Sequence, residues 1–292
     1  MFGTKPLFSI IMENEIELLK VIDSFIKVGE AGKKTQAGKD NRLLDAEGLG
    51  FKIFSHAASI LYLYRSTNIP DSSVTKISFF DAASINVLGR AAIESFLVFQ
   101  YVFVNNVNEE QEDFHYLSWV LGGLIERQRL PVSSPQGKKV LEDESKIISS
   151  LESRIKTNKF FLELTDKQQN NLLNKGKWRL KSWSKIGLES GLSDTYSEAF
   201  YRYLCDYAHA GNLSILQLRE AKTAKIQSDL SNATIGYLLI ALSKFTKSYT
   251  KVFPKAKQIY NSLADKNVIE VWDAVGSKSL SEVKVDWTDF KI

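Results

Sequence analysis

Three polar residues in the last third of the chain have types and spacings that could cleave a phosphodiester. Arg202, Asp206 and His209 are separated by four, three and seven residues, which places them on one face of a helix. Such a histidine moves a proton to or from an attacking or leaving oxygen, and the arginine stabilises the charge that develops on the phosphate. The alternative interpretation is a solvated surface opposite an apolar face that includes Leu204 and Ala208.

A second polar group lies within the most apolar part of the sequence. Asn86, Arg90 and Glu94 follow one another at intervals of four, inside a 28-residue stretch, ISFFDAASINVLGRAAIESFLVFQYVFV, that holds three charges. A helix that is apolar on nearly every side is a buried helix, so we expect Arg90 and Glu94 to be buried and paired. This stripe either faces a polar cleft, where Glu94 holds another side chain or acts as a base, or forms an ion pair that supports the fold.

A third pattern combines basic and aromatic residues between Lys175 and Lys185, where no acidic residue occurs. Lysine and arginine can contact phosphates while tryptophan stacks on bases, which favours binding of a single-stranded nucleic acid. The residues predicted to bind are Lys177, Trp178, Arg179, Lys181 and Lys185. The alternative is that Trp178 and Trp183 anchor this stretch in the core while the lysines are solvated.

The remaining charged and metal-binding residue types indicate little specific chemistry. The formal net charge of +4 permits binding to a polyanion without implying it. A second basic stripe, with spacings of three and four, is formed by Lys244, Lys247, Lys251 and Lys255. His56 and His115 have no ligand partners nearby in the sequence, so we expect hydrogen-bonded core histidines, no metal site and no cofactor. Cys205 is the single cysteine, which excludes an intrachain disulfide.

The pattern of hydrophobic residues predicts an all-α protein in the cytoplasm. The N-terminus does not have the composition of an export signal, because Glu13, Glu15 and Glu17 follow a short apolar stretch. No uninterrupted apolar run reaches the roughly 18 residues that a membrane span requires. Helical periodicity predicts helices over the ranges 10–28, 44–66, 73–105, 109–129, 138–156, 166–173 and 193–208, and two or three more over 213–264.

The turn and capping signals predict one domain, 1–292, built as a multi-helix bundle. Its core is expected over about 43–130 and 176–264, with a helical insertion over about 138–175 and an irregular tail over 277–292. Residues 29–41 form a flexible loop in this prediction, since GEAGKKTQAGKDN has no hydrophobic period. Asn108 with Gln111, and Thr165 with Gln168, have the spacing of capping boxes at helix starts.

Three segments together resemble a family of uncharacterised bacterial helical proteins. They are LGRAAIESFLVFQYVF (88–103), WRLKSWSKIG (178–187) and YRYLCDYAHAGNL (201–213). The family pattern is R-x3-E, then a distant Trp, then Y-x7-H; Arg90 and Glu94 match its first part, and Tyr201 and His209 its last. The resemblance covers roughly residues 50 to 250. It implies a role in defence against phage, with a partner protein from the same operon.

The last of these segments also resembles the Arg-x4-6-His motif of the HEPN superfamily. Arg202 and His209 fit this motif at its longest spacing, whereas Tyr203 stands where a polar residue commonly follows the arginine. The resemblance implies a helical homodimer that is either a metal-independent ribonuclease acting on RNA or a non-catalytic relative. In the first case His209 is the general acid or base, Arg202 the transition-state cation, and Glu94 or Arg90 their support. In the second, the same residues bind a protein or nucleotide.

Overall fold

The protein is almost entirely helical in a computed structural model that describes residues 7–33, 41–69 and 77–279. About four-fifths of these residues are helical, which confirms the all-α prediction. The α-helices are α1 (Leu7–Lys33), α2 (Asn41–Tyr64), α3 (Ala82–Phe99), α4 (Glu109–Gln128), α5 (Pro135–Lys156), α6 (Lys159–Leu162), α7 (Asp166–Lys175), α8 (Trp183–Glu189), α9 (Tyr201–Ala208), α10 (Asn212–Glu220), α11 (Ala224–Val252), α12 (Ala256–Asn261) and α13 (Lys266–Gly276). Two further segments, Gln100–Val104 and Thr195–Phe200, are π-helical.

The chain forms two compact units. Of the described residues, those up to 99 and those from 183 onward form the first unit, and residues 100–182 form the second. The prediction of one domain with an insertion over 138–175 remains a prediction, and residues 280–292 of the predicted tail lie outside the described part of the chain.

The core of the first unit is built around α11, which packs against α1, α3 and α13. Aromatic rings fill this core: the ring of Phe245 lies 5.3 Å from that of Phe25 and 4.4 Å from that of Phe99. Helices α3 and α11 approach closely at Gly89, where a β-carbon would lie 2.3 Å from Cγ2 of Thr234. This contact sets how closely α3, the helix that carries Arg90 and Glu94, packs against α11.

A β-hairpin precedes α3, so the prediction of one helix from residue 73 was wrong. The strands β1 (Thr67–Ile69) and β2 (Ile77–Phe79) pair antiparallel, with Thr67 opposite Phe79. Helix α3 begins only at Ala82, because the carboxylate of Asp81 accepts a hydrogen bond from the Ser84 backbone N–H at 3.0 Å and caps the helix. Residues 70–76, which lie between the two strands in the sequence, are outside the described residues.

Burial inside the protein explains why helix α3 is so apolar. Among the described helices, the segment Ala82–Val104 is long and apolar enough to cross a membrane by length and composition alone. However, 61% of its most apolar part is buried inside the protein, as in the core helix of a soluble protein.

Two details of the N-terminal helices differ from the predictions. Helix α1 continues through Gly29 to Lys33, so residues 29–33 of the predicted loop are helical; residues 34–40 lie outside the described chain. In α2 the helical spacing of Phe51, Phe54, Ala58 and Leu61 predicts one apolar stripe, but Phe51 is 68% exposed, and the buried residues besides Leu61 include Ile53, Ala57, Ile60 and Tyr64. Because α2 carries apolar residues on several sides, periodicity alone placed its buried face one residue away from the observed one.

Two of the four lysines in the predicted basic stripe, Lys244 and Lys247, form ion pairs on α11, so half of the stripe is not free to bind a polyanion. The Lys244 ammonium lies 3.0 Å from an oxygen of Asp273 and 3.1 Å from the Ser277 hydroxyl. Lys247 pairs with Asp273 at 2.6 Å and with Glu270 at 2.9 Å. These contacts join α11 to α13, and Lys244 is only 5% exposed.

The second unit packs α4 against α5, α6 and α7. Both predicted helix starts are confirmed: Asn108 accepts from the Gln111 backbone N–H, and Thr165 with Gln168 forms a complete capping box. Helix α5 begins at Pro135, three residues before the predicted start, because the Ser134 side chain caps it. The buried core residues are Phe114, Leu117, Leu121, Leu151, Ile155, Phe161 and Leu172.

His115 is a hydrogen-bonded core histidine, as predicted, whereas the same prediction is wrong for His56, which is only partly buried and whose Nε2 has no hydrogen-bond partner among the described residues. It is 3% exposed, its ring lies 4.1 Å from that of Tyr101, and its Nδ1 lies 2.7 Å from the side-chain oxygen of Asn106. Burial lowers the pKa of His115 to about 4, and the charge of Lys181 acts in the same direction. The folded protein therefore holds this imidazole neutral.

We expect the buried His115 to make the protein less stable in mild acid. A histidine in an unfolded chain ionises near pH 6.5, so between about pH 6.5 and 4 the unfolded state binds one proton more than the folded state. The free energy of unfolding should therefore fall as the pH falls through this window, by up to about 3 kcal/mol from this residue. Urea unfolding at several pH values measures it. The His115→Gln variant, which cannot ionise, should lose this share of the pH dependence; equal slopes for both proteins would contradict the prediction.

Candidate functional site

Two helical stripes meet to form the candidate site. On α3, Arg90 and Glu94 are one turn apart; on α9, Tyr201 and Cys205 are one turn apart, and His209 follows as the residue that ends α9. Helix α3 packs against α9, which brings the two stripes together. We call these five residues the Arg90–His209 site.

Glu94 and Tyr201 hold the Arg90 side chain. Arg90 reaches Oε1 of Glu94 through Nε at 3.1 Å and Nη2 at 3.0 Å, and the Tyr201 hydroxyl donates to the same oxygen at 2.7 Å. The Arg90 guanidinium also lies 6.0 Å from the centre of the Tyr201 ring. The predicted pairing of Arg90 with Glu94 is therefore present. Both side chains are only partly buried, at 21% and 30% exposed, so the prediction that they are buried is wrong.

The local electrostatics keep Arg90 charged and Tyr201 neutral. Partial burial alone would lower the pKa of Arg90, but the Glu94 carboxylate and the Tyr201 hydroxyl outweigh it and raise that pKa. Burial, followed by the hydrogen bond to Glu94, raises the pKa of Tyr201 well above its ordinary value. The tyrosine therefore stays protonated and serves as a donor to Glu94.

The remaining nitrogen of the Arg90 guanidinium, Nη1, contacts His209. Nη1 of Arg90 lies 3.1 Å from Nε2 of His209, and the imidazole is exposed at the surface. A cation and a potential proton carrier are therefore in direct contact with each other and with solvent. This is the pair of groups that phosphodiester cleavage needs, brought together from two helices.

A tight turn between α9 and α10 fixes the position of His209. Its backbone N–H donates to the Cys205 carbonyl at 3.0 Å, and Ala210 then adopts a left-handed conformation with φ of 51°. Asp206 closes the turn: its carbonyl accepts from Gly211 N–H at 2.7 Å, and its carboxylate accepts from Ser214 N–H at 2.6 Å. Any other residue at 211 would displace the Asp206 carboxylate from this position, since a β-carbon there would lie 1.8 Å from it. Asp206 therefore caps α10 rather than facing a ligand.

The segment before α9 departs from the predicted α-helix over 193–208. Residues Thr195–Phe200 form a π-helical turn, and Asp194 caps it through the Thr195 backbone N–H at 2.7 Å. A π-helical turn accommodates an extra residue and so changes the direction in which later side chains point. In this structure the turn ends immediately before Tyr201, which begins the α9 stripe.

Arg202 lies apart from this contact. It is 77% exposed and pairs with Glu198 in the preceding turn at 2.6 Å. Arg202 and His209 are seven residues apart, so they share a helical face, but two turns of helix separate them by about 10 Å along the axis. The structure therefore brings Arg90, and not the predicted Arg202, against His209.

Asn86 belongs to the core rather than to the site. It is fully buried, and the hydroxyl of Thr234 on α11 donates to its side-chain oxygen. Tyr203, which occupies the position that is commonly polar in the resembled motif, has its pKa raised by burial. The neighbouring Tyr207 hydroxyl donates to Gln217 of α10 at 2.9 Å. These residues support the helices that carry the site.

The predicted nucleic-acid-binding residues are divided between the two units. Lys177, Trp178, Arg179 and Lys181 belong to the second unit, and Lys185 belongs to α8 in the first. Trp178 packs into the core of its unit, where its ring lies 5.9 Å from that of Tyr101. The Arg179 side chain donates to the Lys181 carbonyl, and Lys185 lies 3.9 Å from Glu189. The structure thus favours the core interpretation for Trp178, while Lys177 is exposed.

Residues 56–226 match a family model described as a family of unknown function, DUF5677. The matched range is more than half of the chain. The chain belongs to this family. No curated protein and no solved structure matches it. The resemblance to an all-helical family without settled activity is therefore confirmed at that level.

The DUF5677 match includes every residue of the Arg90–His209 site. It also includes the hairpin that precedes α3 and the whole of the second unit. Within residues 7–33, 41–69 and 77–279, no group of three or more His, Cys, Asp or Glu side chains is arranged to hold a metal ion. Sequence reasoning missed Cys205 as a member of the site, although its position midway between Tyr201 and His209, four residues from each, was the available signal.

Proposed function

We propose that this DUF5677 protein is a HEPN-like, metal-independent endoribonuclease. The observation that supports it most is the contact of Arg90 Nη1 with Nε2 of the exposed His209 at 3.1 Å. In this proposal His209 is the general acid or base, and Arg90 takes the transition-state role that the sequence assigned to Arg202. Glu94 and Tyr201 position Arg90.

The proposed reaction is an internal transfer within RNA. The ribose 2′-oxygen attacks phosphorus, the bond to the 5′-oxygen breaks, and the products are a 2′,3′-cyclic phosphate and a 5′-hydroxyl. His209 takes the proton from the attacking hydroxyl or gives one to the leaving oxygen. Arg90 donates to the non-bridging oxygens as their charge grows, an interaction worth most in the transition state. Two of its nitrogens stay bound to Glu94, so Nη1 is the atom that turns to the phosphate.

The other elements of the proposal concern the setting of the reaction. RNA is the proposed partner, and Lys177, Arg179, Lys181 and Lys185 are proposed to contact its backbone. A homodimer in the cytoplasm, a partner protein from the same operon and a role in phage defence complete the proposal. The cytoplasmic location rests on the composition of the sequence, and the other three rest on its resemblance to known families.

The second candidate is a non-catalytic helical module that binds a protein or nucleotide. One observation favours it: Oε1 of Glu94 accepts from both Arg90 and Tyr201, so much of the polar group is satisfied internally. A scaffold would keep the hydrogen bonds among Arg90, Glu94 and Tyr201 intact when its partner binds. An enzyme must release Nη1 of Arg90 from His209 to the substrate.

Cleavage of single-stranded RNA tests the proposed function directly. We expect fragments that end in a cyclic phosphate, equal rates with and without a chelator, and no cleavage of DNA of the same sequence, which lacks the attacking hydroxyl. End-group analysis by mass spectrometry distinguishes these products from those of hydrolysis. If the protein, expressed together with its neighbouring genes, cuts no RNA, the module interpretation replaces this one.

A further inference from the structure

The hydrogen bond between Arg90 and His209 defines which imidazole nitrogen carries the proton. A guanidinium has five N–H donors and no acceptor, so the contact at 3.1 Å requires Nε2 of His209 to accept. The proton of the neutral ring is then on Nδ1. A protonated His209 would turn an N–H toward the N–H of Arg90, and this hydrogen bond would be lost.

We propose that Arg90 and His209 form an oxyanion-binding site that takes up one proton with each anion it binds. An anionic oxygen between the two side chains can accept from Nη1 of Arg90 and, once His209 is protonated, from Nε2 as well. The ligand class is a tetrahedral oxyanion, such as the phosphodiester group of a nucleic acid. This inference rests on the proposed function for its natural ligand, but binding of the anion does not require cleavage.

The charges on α3 and α9 around His209 explain why the proton is needed. On α3 the cation of Arg90 is balanced by the carboxylate of Glu94, with which it makes two contacts. On α9 itself, Tyr201 donates to Glu94 and Cys205 lies one turn before His209. While His209 is neutral, the side chains of the site carry no net charge, and an anion gains little by entering.

The carboxylates of the adjoining elements have partners of their own. Asp206 accepts from the Ser214 backbone N–H, and Glu198 in the π-helical turn pairs with Arg202. On α10 the only charged residues, Arg219 and Glu220, pair with each other at its far end. Protonation of His209 therefore changes the charge of the site from zero to +1, and an incoming anion favours that state.

This coupling has a consequence for the proposed reaction. The bound complex would hold His209 as an imidazolium, which is the form that donates a proton. His209 would then act as general acid toward the leaving 5′-oxygen, while the proton of the 2′-hydroxyl passes to solvent. The sequence left both the acid and the base role open, and the binding geometry selects the acid role.

The test uses sulfate as the probe, because its charge stays constant between pH 5.5 and 8. Sodium sulfate is titrated at constant ionic strength while nitrogen NMR of the imidazole rings is recorded; the chain has three histidines, which keeps the spectrum simple. We expect the His209 ring to change from the Nδ1–H form to the imidazolium as sulfate binds. The dissociation constant should be at least about tenfold lower at pH 5.5 than at pH 8, as coupling to one proton requires.

Two variants provide the controls. His209→Gln should weaken sulfate binding and remove its pH dependence, and unchanged signals from His56 and His115 show that the variant is folded. Arg219→Ala, which removes an exposed arginine of α10, should bind sulfate as the wild type does. Equal affinity at both pH values, or a His209 ring that stays neutral when sulfate is bound, would overturn the inference. If the protein cleaves RNA but binds sulfate without taking up a proton, the proposed function holds and this inference fails. If it binds sulfate with a proton but cleaves no RNA, the anion-binding site holds and the proposed function fails.

Discussion

Replacing His209 with alanine is expected to abolish RNA cleavage while leaving the protein folded. Proton transfer by a positioned side chain contributes about 10² to 10⁴ in rate, so the loss should be at least about 100-fold. The imidazole is exposed and ends α9 through its backbone, which alanine retains, so the melting temperature should stay close to that of the wild type. Single-turnover cleavage of a labelled RNA, measured beside a thermal melt, checks both statements.

Substitutions of Arg90 and Arg202 distinguish the site seen in the structure from the site that helical spacing predicted. Arg90→Ala should lower the rate by about 10² to 10³, the usual effect of removing one donor to a developing oxyanion. Arg202→Ala removes a side chain that pairs with Glu198 on the surface, and it should keep most of the activity. A large loss in Arg202→Ala together with a small one in Arg90→Ala would mean that the Arg90–His209 contact is not the reactive arrangement. A folded His209→Ala variant that remains fully active would remove the catalytic proposal altogether.

Asp273→Ala should destabilise the protein by about 3 kcal/mol, because it removes the carboxylate that faces a buried lysine. The side chain of Lys244 is 6% exposed, and its ammonium would keep the Ser277 hydroxyl, at 3.1 Å, as a partner. A hydroxyl compensates a buried charge far less well than a carboxylate does. Urea unfolding followed by circular dichroism measures the change.

A double variant distinguishes an unpaired charge from lost packing. Replacing both partners with apolar residues, as in Lys244→Met with Asp273→Leu, should recover much of the stability, since removal of a whole buried ion pair is often close to neutral. A double variant as unstable as Asp273→Ala would instead assign the loss to packing between α11 and α13. A single variant within about 0.5 kcal/mol of the wild type would contradict the burial of the pair.

Local signals in the sequence predicted local structure well. The caps at Asn108 and Thr165 involve side chains and backbone N–H groups three residues apart, so the sequence alone contains the interaction. The hairpin before α3 was missed because its strands have only three residues each, which is too short for an alternating strand pattern to stand out in the sequence. The buried face of α2 was misplaced because burial depends on which neighbours cover the helix.

The candidate site was predicted only in part, because spacing predicts interactions within one helix but not interactions between helices. Arg90 and Glu94 pair within one helix, and their spacing of four is sufficient to predict it. The contact of Arg90 with His209 joins residues 119 positions apart, and it depends on how α9 docks on α3. Spacing within α9 could suggest only Arg202 as the partner. Lys244 and Lys247 were interpreted as a free basic stripe because their acidic partners on α13 lie more than twenty residues away in the sequence.

Because Cys205 lies on the α9 stripe, a thiol-reactive label can be attached at the site. It is the chain's only thiol, and it stands one helical turn from Tyr201 and one from His209. A maleimide fluorophore or a nitroxide spin label would therefore attach at a single position, with no background from other cysteines to be removed by mutation. The fluorescence emission of the maleimide label, or the spectral line shape of the nitroxide, would report the binding of a ligand beside Arg90. This measurement does not require the ligand to be identified.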